Sequence, residues 1–354
     1  MDLKVLGWNS DYETYFQQHY GQGYVPGRVT VEHKRIYRVL TEQGEILAEL
    51  KGKLRYAATG REDFPAVGDW AALSLREENR GLIHGILPRK SKFSRKAAGN
   101  TTEEQMVAVN IDTVLILNAL NGDFNIRRLE RYLTMACESG AYPVIVLSKA
   151  DLCEDIEEKL LQVEAVACGV PVHVISSIKG EGLQRIEQYM GIGKTIALLG
   201  SSGVGKSTLV NTLTGREAVR TQEVRAGDDR GKHTTTYREL HVLPGRGVII
   251  DTPGMRELQL WCSEEGIQDA FDDIEEIATG CRFKDCSHDK EPGCAIQQAL
   301  VEGLLEESRW LSYKKLQREL LFLQGKQDQQ ARIAVKKHHK AISKSIKQVS
   351  KNKY

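Results

Sequence analysis

One loop constrains this chain more than anything else in it. Gly200-Ser201-Ser202-Gly203-Val204-Gly205-Lys206-Ser207 has the spacing of a phosphate-binding loop, yet it begins past the middle of a 354-residue chain. Glycines at these positions let backbone N–H groups turn inward around an anion without Cβ clashes. Lys206 supplies a point charge, and Ser207 reaches a magnesium ion from the first turn of a following helix. The flanks agree with this chemistry. Thr195-Ile196-Ala197-Leu198-Leu199 is an apolar run suited to a buried parallel strand, and Leu209 and Leu213 lie one helical turn apart. Leu199 and Thr208 close the set of residues expected around the phosphates. A glycine-rich turn matching by chance is the alternative, and it explains neither the strand before the loop nor the helix after it.

Three further apolar runs each deliver polar residues to a strand end, where open α/β sheets collect their ligands. Gly247-Val248-Ile249-Ile250 leads into Asp251-Thr252-Pro253-Gly254. Asp251 is expected to hold magnesium through water, and Gly254 to present a backbone N–H to a γ-phosphate. Pro143-Val144-Ile145-Val146-Leu147 leads into Ser148-Lys149-Ala150-Asp151. There the Asp151 carboxylate accepts two hydrogen bonds in a pattern that guanine N1 and N2 offer and adenine does not, while the Lys149 stem lies along the base. Ser148 stands where most such loops carry Asn, a departure that bears on affinity more than on base identity. Val172-His173-Val174-Ile175 leads into Ser176 and Ser177, expected to meet the guanine carbonyl through their backbone. His173 itself reads as a core or edge-strand histidine. Most GTPases place the phosphate loop first, the magnesium-side Asp next and the base-reading tetrad after it. Here the tetrad leads and Asp251 comes last, the order of a circularly permuted P-loop GTPase.

Between the phosphate loop and Asp251, Gly227-Asp228-Asp229-Arg230-Gly231-Lys232-His233-Thr234-Thr235-Thr236 is polar and has little apolar periodicity, as a switch segment requires. Thr234 or Thr235 is expected to coordinate magnesium while the γ-phosphate is present. Met255 stands where many GTPases carry a water-orienting Gln, and a thioether cannot orient water by hydrogen bonding. His233 is the candidate for that task, against the alternative of a solvent-exposed loop histidine. Without a preset Gln the intrinsic rate is expected to be slow, and an activating partner is implied.

Cys281, Cys286, His288 and Cys294 form a second constellation, broken by Pro292-Gly293. Three thiols and an imidazole at this spacing close a tetrahedral zinc site, one ion per chain. With four protein ligands no coordination position stays open, so the ion is structural. Reduced buried cysteines are the alternative, disfavoured by polar surroundings that make a poor core. Cys137, Cys153, Cys168 and Cys262 lack such spacing and read as free thiols, Cys137 on an apolar helix face.

A 354-residue chain with 41% hydrophobic content buries a sizeable core in two or three domains. No apolar run approaches the roughly 20 residues of a membrane span, and Met1 opens no secretory signal. The net charge of +1 conceals segregation: residues 269–276 are acidic, whereas from Arg332 onward every charged residue is Lys or Arg. That tail suits phosphate contacts of RNA, or else stays solvated. After Tyr24, short alternating segments at 28–31, 35–39, 45–50, 70–73 and 81–87 fit a five-stranded OB-type barrel. Lys51, Lys53, Arg55 and Tyr56 would give it charge and a stacking face for an oligonucleotide, although a barrel used only for packing fits the same pattern. Residues 89–99 are strongly cationic and read as a linker, either solvated or RNA-facing.

These residues together resemble the ribosome small subunit-dependent GTPase A (RsgA) family over nearly the whole chain. The carriers are Gly200 to Ser207, Asp251 to Gly254, Gly231 to Thr236, and the Cys281, Cys286, His288, Cys294 quartet. The resemblance implies a multidomain α/β protein: an N-terminal OB-type β-barrel, a circularly permuted P-loop GTPase domain and a C-terminal α-helical zinc-binding domain. In this chain the divisions are expected as an extension 1–24, barrel 25–98, GTPase domain 99–262, helical zinc-binding domain 263–330 and basic tail 331–354. It further implies cytoplasmic GTP hydrolysis stimulated by the small ribosomal subunit, magnesium with GTP, contact with ribosomal RNA and a role in late subunit maturation; a monomer with no membrane contact is expected. Trp8, Tyr12, Tyr15 and Phe16 suggest that the extension packs on the barrel. Two rivals stand beside this reading: a P-loop kinase or ATPase, and a zinc-containing RNA-binding protein whose nucleotide site is regulatory or vestigial.

Overall fold

The computed structural model describes residues 1–33, 36–96, 104–215, 238–251, 264–289 and 291–325. The extension supplies a 3-10 turn, Leu3–Leu6, and helix α1, Ser10–His19, whose N-cap Asn9 accepts hydrogen bonds from the Asp11 and Tyr12 amides. Five strands follow: β1 Val25–His33, β2 Ile36–Thr41, β3 Gly44–Leu50, β4 Trp70–Arg76 and β5 Arg80–Ile86, with α2, Gly52–Ala57, between β3 and β4. They pair in the order β1-β2-β3-β5-β4, and β4 returns to β1, closing the barrel. Its interior is Val29, Tyr37, Val39, Ile46, Ala48, Leu50, Ala71, Leu73 and Ile83, mostly alternate residues of each strand.

Next comes an antiparallel pair, β6 Lys92–Lys96 and β7 Glu104–Val109. The cationic stretch expected as a linker is therefore a strand over 92–96, because its apolar partner β7 lies beyond the reach of local pattern reading. A mostly parallel sheet follows, of β8 Thr113–Ala119, β9 Tyr142–Ser148, β10 Val172–Val174, β11 Thr195–Gly200, β12 Glu239–Leu243 and β13 Gly247–Asp251. Its order is β10-β9-β8-β11-β13-β12, with only β12 antiparallel. Successive residues alternate between two buried faces: Val114, Ile116, Ala197, Leu199, Val248 and Ile250 on one, Leu115, Leu117, Ile196, Leu198 and Ile249 on the other. Burial on both sides explains why these strands read as unbroken apolar runs. The helices are α3 Ile126–Glu138, α4 Ile156–Glu164, α5 Gln184–Glu187 and α6 Lys206–Thr214, then α7 Glu264–Ala270, α8 Asp272–Thr279 and α9 Ala295–Glu302. Residues 307–325 are also helical. No described helix is long and apolar enough to cross a membrane.

Barrel and sheet form one continuous sheet, because β1 also pairs with β12 at Val31 and Glu239. The extension packs on the barrel through Trp8, whose ring centroid lies 4.8 Å from that of Trp70. It also enters the junction with the second sheet. Arg28, fully buried, donates to the carbonyls of Leu6, Gly68 and Asn110. The Tyr12 hydroxyl donates to Asn110 Oδ1 at 3.1 Å. Burial pushes the Arg28 guanidinium down to about 10, still charged at neutral pH, with Tyr12, Asp112 and Asp69 acting against the shift.

Candidate functional site

Each parallel strand of the second sheet ends on a polar turn, and those ends are neighbours. β11 delivers Gly200 and Ser201; the chain then turns through Ser202, Gly203 and Val204 into α6. Gly203 and Gly205 have φ of 79° and 104°, values that L side chains rarely adopt, which is why the turn requires glycine there. Leu209 and Leu213 face the core as their spacing predicts. Lys206 is buried and donates to the carbonyls of Gly200 and Ser201, both at 2.7 Å. Burial pushes its ammonium down to about 8, and the carboxylates of Asp251 and Asp123 oppose that shift. Ser207 and Thr208 occupy the first turn of α6. Leu199 is buried at the end of β11.

Asp251 is the last residue of β13, buried, and paired in register with Leu198 of β11. Its carboxylate therefore sits at the strand beside the phosphate loop, close enough to act on Lys206. Ser207 and Asp251 offer a hydroxyl and a carboxylate, the hard oxygen donors that suit magnesium.

β9 ends at Ser148, whose buried hydroxyl donates to the Val204 carbonyl at 2.7 Å. The loop that follows β9 is thereby fastened to the loop that follows β11. Lys149 adopts the left-handed region, φ 60° and ψ 38°, and Ala150, Asp151 and Leu152 form a 3-10 turn. Past β10, Ser176 is fully buried and donates to Asp151 Oδ1 at 2.5 Å, while the Lys179 amide donates to Ser176 Oγ at 3.2 Å. Thr212 of α6 reaches the Ser177 carbonyl at 3.5 Å. Residues 148–151, 176–177, 199–208 and 251 thus gather along one edge of the sheet. His173 lies on the edge strand β10, its Nε2 2.9 Å from the Tyr189 hydroxyl, away from this chemistry. His233, Thr234, Thr235, Thr236, Thr252, Pro253, Gly254, Met255, Cys262 and the tail 331–354 lie outside the described residues.

One site residue escaped the sequence reading. Asp123, on the turn after β8, accepts a hydrogen bond from Ser201 Oγ at 2.5 Å. Its position just past the carboxyl end of a central parallel strand is the signal that marks it.

The Cys281, Cys286, His288 and Cys294 ligand atoms all lie within 4.8 Å of one another. Cys281 Sγ is 3.4 Å from His288 Nδ1 and 3.9 Å from Cys294 Sγ, and Cys294 Sγ is 3.5 Å from His288 Nδ1. Those separations match the edges of a tetrahedron with metal–sulfur bonds of about 2.3 Å and metal–nitrogen bonds of about 2.0 Å. The Ala295 amide, opening α9, donates to Cys281 Sγ at 3.3 Å. Although desolvation works the other way, the Ala295 and Ile296 N–H groups hold the Cys281 thiol below its usual range, which favours the ligating thiolate. On the barrel, Lys51, Lys53, Arg55 and Tyr56 sit on or beside α2, with Tyr56 92% exposed.

The sequence pattern of the RsgA GTPase family matches residues 86–261. A protein of Lactiplantibacillus plantarum named small ribosomal subunit biogenesis GTPase RsgA 2 is 46% identical over 328 residues, 92% of each chain. One of Opitutus terrae, named small ribosomal subunit biogenesis GTPase RsgA, is 43% identical over 90% of each. Among solved structures, YjeQ from Thermotoga maritima superposes with a TM-score of 0.62 at 27% identity, covering 84% of this chain and 99% of that one. YloQ, described as a circularly permuted GTPase, superposes with a TM-score of 0.58 at 25% identity, covering 85% and 96%.

Proposed function

This chain belongs to the RsgA GTPase family, and from that premise we propose that it hydrolyses GTP to GDP and phosphate in association with the small ribosomal subunit during maturation of that subunit. The observation that carries this reading is the hydrogen bond from Ser148 to Val204, which joins the base-reading loop to the phosphate loop in one site.

Backbone N–H groups of residues 200–208 and the Lys206 ammonium receive the phosphates. Lys206 is already desolvated, so its charge acts on an anion with little screening by water. Asp151 reads the guanine edge; with Oδ1 engaged by Ser176, its carboxylate is held in one orientation before a base arrives. Ser148, Lys149 and Ala150 shape the base side, and Ser176 and Ser177 face the guanine carbonyl. Ser207 and Asp251 would hold magnesium, which would supply positive charge to neutralise the phosphates. To His233 we assign the orienting of water, to Thr234 or Thr235 a magnesium-ligand role while the γ-phosphate is present, and to Gly254 a backbone N–H toward that phosphate.

Zinc is the metal we assign to Cys281, Cys286, His288 and Cys294, in a structural role, since thiolate-rich tetrahedral sets select it. We divide the chain as extension 1–24, barrel 25–98, GTPase domain 99–262, helical domain 263–330 and basic tail 331–354. The tail and the α2 rim of the barrel supply ribosomal RNA contacts, and the protein acts in the cytoplasm as a monomer.

The direct test is GTP turnover by the full chain with and without purified small subunits. Slow turnover alone and an acceleration of about tenfold or more with subunits is the expected result. Absence of turnover under both conditions, with subunit binding intact in Lys206→Ala, would instead identify an RNA-binding protein with a vestigial nucleotide site.

A further inference from the structure

The Ser148 hydroxyl ties the base-reading loop to the phosphate loop at the Val204 carbonyl, and the phosphate loop has a further tie on the side of β8. The second tie is Asp123. After β8 the chain turns over residues 121–124, with the Asp123 amide donating to Asn121 Oδ1 at 3.1 Å and the Phe124 amide to the Asn121 carbonyl at 2.9 Å. Asn125 then caps α3 by accepting from the Arg128 amide at 2.8 Å. Asp123 Oδ2 takes the Ser201 hydroxyl at 2.5 Å and lies 2.9 Å from Arg128 Nη2, while Arg128 Nη1 donates to Oδ1 at 3.1 Å. Ser201 itself is 5% exposed.

A carboxylate beside a loop that receives polyphosphate is unfavourable unless its charge is neutralised and put to use. Arg128 neutralises it, and Ser201 is what it holds. The helix behind Arg128 is anchored in turn. Glu130, fully buried, pairs with Arg309 at 2.9 Å, and Arg131 meets both oxygens of Glu319 at 2.9 Å, both partners lying in helix 307–325.

We propose that Asp123 is a positioning residue of the nucleotide site: with Arg128 it clamps the Ser201 hydroxyl and so presets the phosphate loop against α3. The proposal rests on the nucleotide-site reading above. A loop held in its binding shape before ligand arrives binds without the loss of affinity that a sparsely populated competent state imposes. GDP and GTP need the same loop shape, so both depend on the clamp to the same degree.

The test is a double-mutant cycle in the full chain, read as dissociation constants for GDP and a non-hydrolysable GTP analogue. Asp123→Ala and Ser201→Ala are each expected to weaken both nucleotides about tenfold, the double variant no further than either single one. Ser201→Thr, which keeps the hydroxyl, is expected to stay within about twofold of the parent. A merely structural role would lower the melting temperature without that non-additivity in affinity and without rescue by threonine. Single variants that bind like the parent, or losses that multiply in the double variant, overturn the proposal. Lys206→Ala separates the two levels. If it leaves GDP binding intact, the nucleotide-site reading itself fails; if it abolishes binding while Asp123→Ala binds like the parent, only the clamp falls.

Discussion

The sheet-edge site and the cysteine–histidine cluster are built in opposite ways. The first draws Ser148, Ser176, Ser201, Lys206 and Asp251 from the ends of strands separated by long stretches of chain, and each of these residues is buried. The second draws its ligands from residues 281–294, and of the four only Cys294 is buried. Strand register and two apolar faces fix the first arrangement whether or not a ligand is present. The loop of the second is anchored to the core by Cys294, with Cys281 and Cys286 packed against it, while its polar remainder is of the kind whose geometry an ion can fix. One protein thus sets a site assembled by strand register beside a ligand set gathered within a single short stretch of chain.

Lys206→Ala presses hardest on this contrast. It should weaken GTP by at least about 100-fold, about 2.7 kcal/mol, while leaving the melting temperature unchanged or higher, because a buried ammonium is removed along with its desolvation penalty. Titration with a fluorescent nucleotide alongside thermal melting measures both. A comparable loss of fold stability would mean that the sheet site is not packed independently of its charge.

Metal removal attacks the other side. Chelation, or Cys281→Ser, should accelerate proteolysis within residues 281–294 by at least about 50-fold, with GDP affinity unchanged within about twofold. Coupled loss of GDP affinity would break the division between the two regions.

Thiol chemistry sharpens the same division. Burial pushes the Cys137 thiol, on α3, up to about 11. Below about pH 9 the folded and unfolded chains both hold that proton; from there to about 11 only the folded chain does, so this group's contribution to stability falls as pH rises through that window. At pH 8 Cys137 should alkylate at least about 30-fold more slowly than an exposed thiol, whereas the cluster thiols become reactive once the metal is stripped. Mass spectrometry of timed alkylation distinguishes them. The smallest effect belongs to Ser148→Ala, which removes the brace to Val204 and should weaken nucleotide about fivefold, about 1 kcal/mol.

Much of this architecture was legible because it is written in local pattern. The parallel strands are unbroken apolar runs, as 195–199 and 143–147 illustrate, and the barrel strands alternate. Cys281, Cys286, His288 and Cys294 follow a metal-binding spacing, and the fold brings their ligand atoms together. What stayed hidden depends on partners distant in sequence. Lys92 to Lys96 looks like a solvated cationic segment until Glu104 to Val109 is seen beside it. β12, only five residues long and partly polar, makes sense only between β13 and β1. By residue type Ser148 is only a departure from the usual Asn, yet its hydroxyl makes a brace that the residue type alone does not announce. Arg28 carries no motif, and its three carbonyl partners come from segments ending at Leu6, Gly68 and Asn110.

The order of the strands also bears on how the chain is made. β8 lies in the middle of the sheet between β9 and β11, and all seven of its residues are buried. Its neighbour β9 is synthesised soon after it, but β11 emerges about 75 residues later, several seconds at about 5–20 residues per second. For that interval the nascent polypeptide carries β8 and β9 with an apolar strand edge open, and the loop 200–207 has not yet been made. Translation must pass Asp251 before the pocket is complete, so a permuted gene order delays nucleotide capture until most of the molecule has left the ribosome.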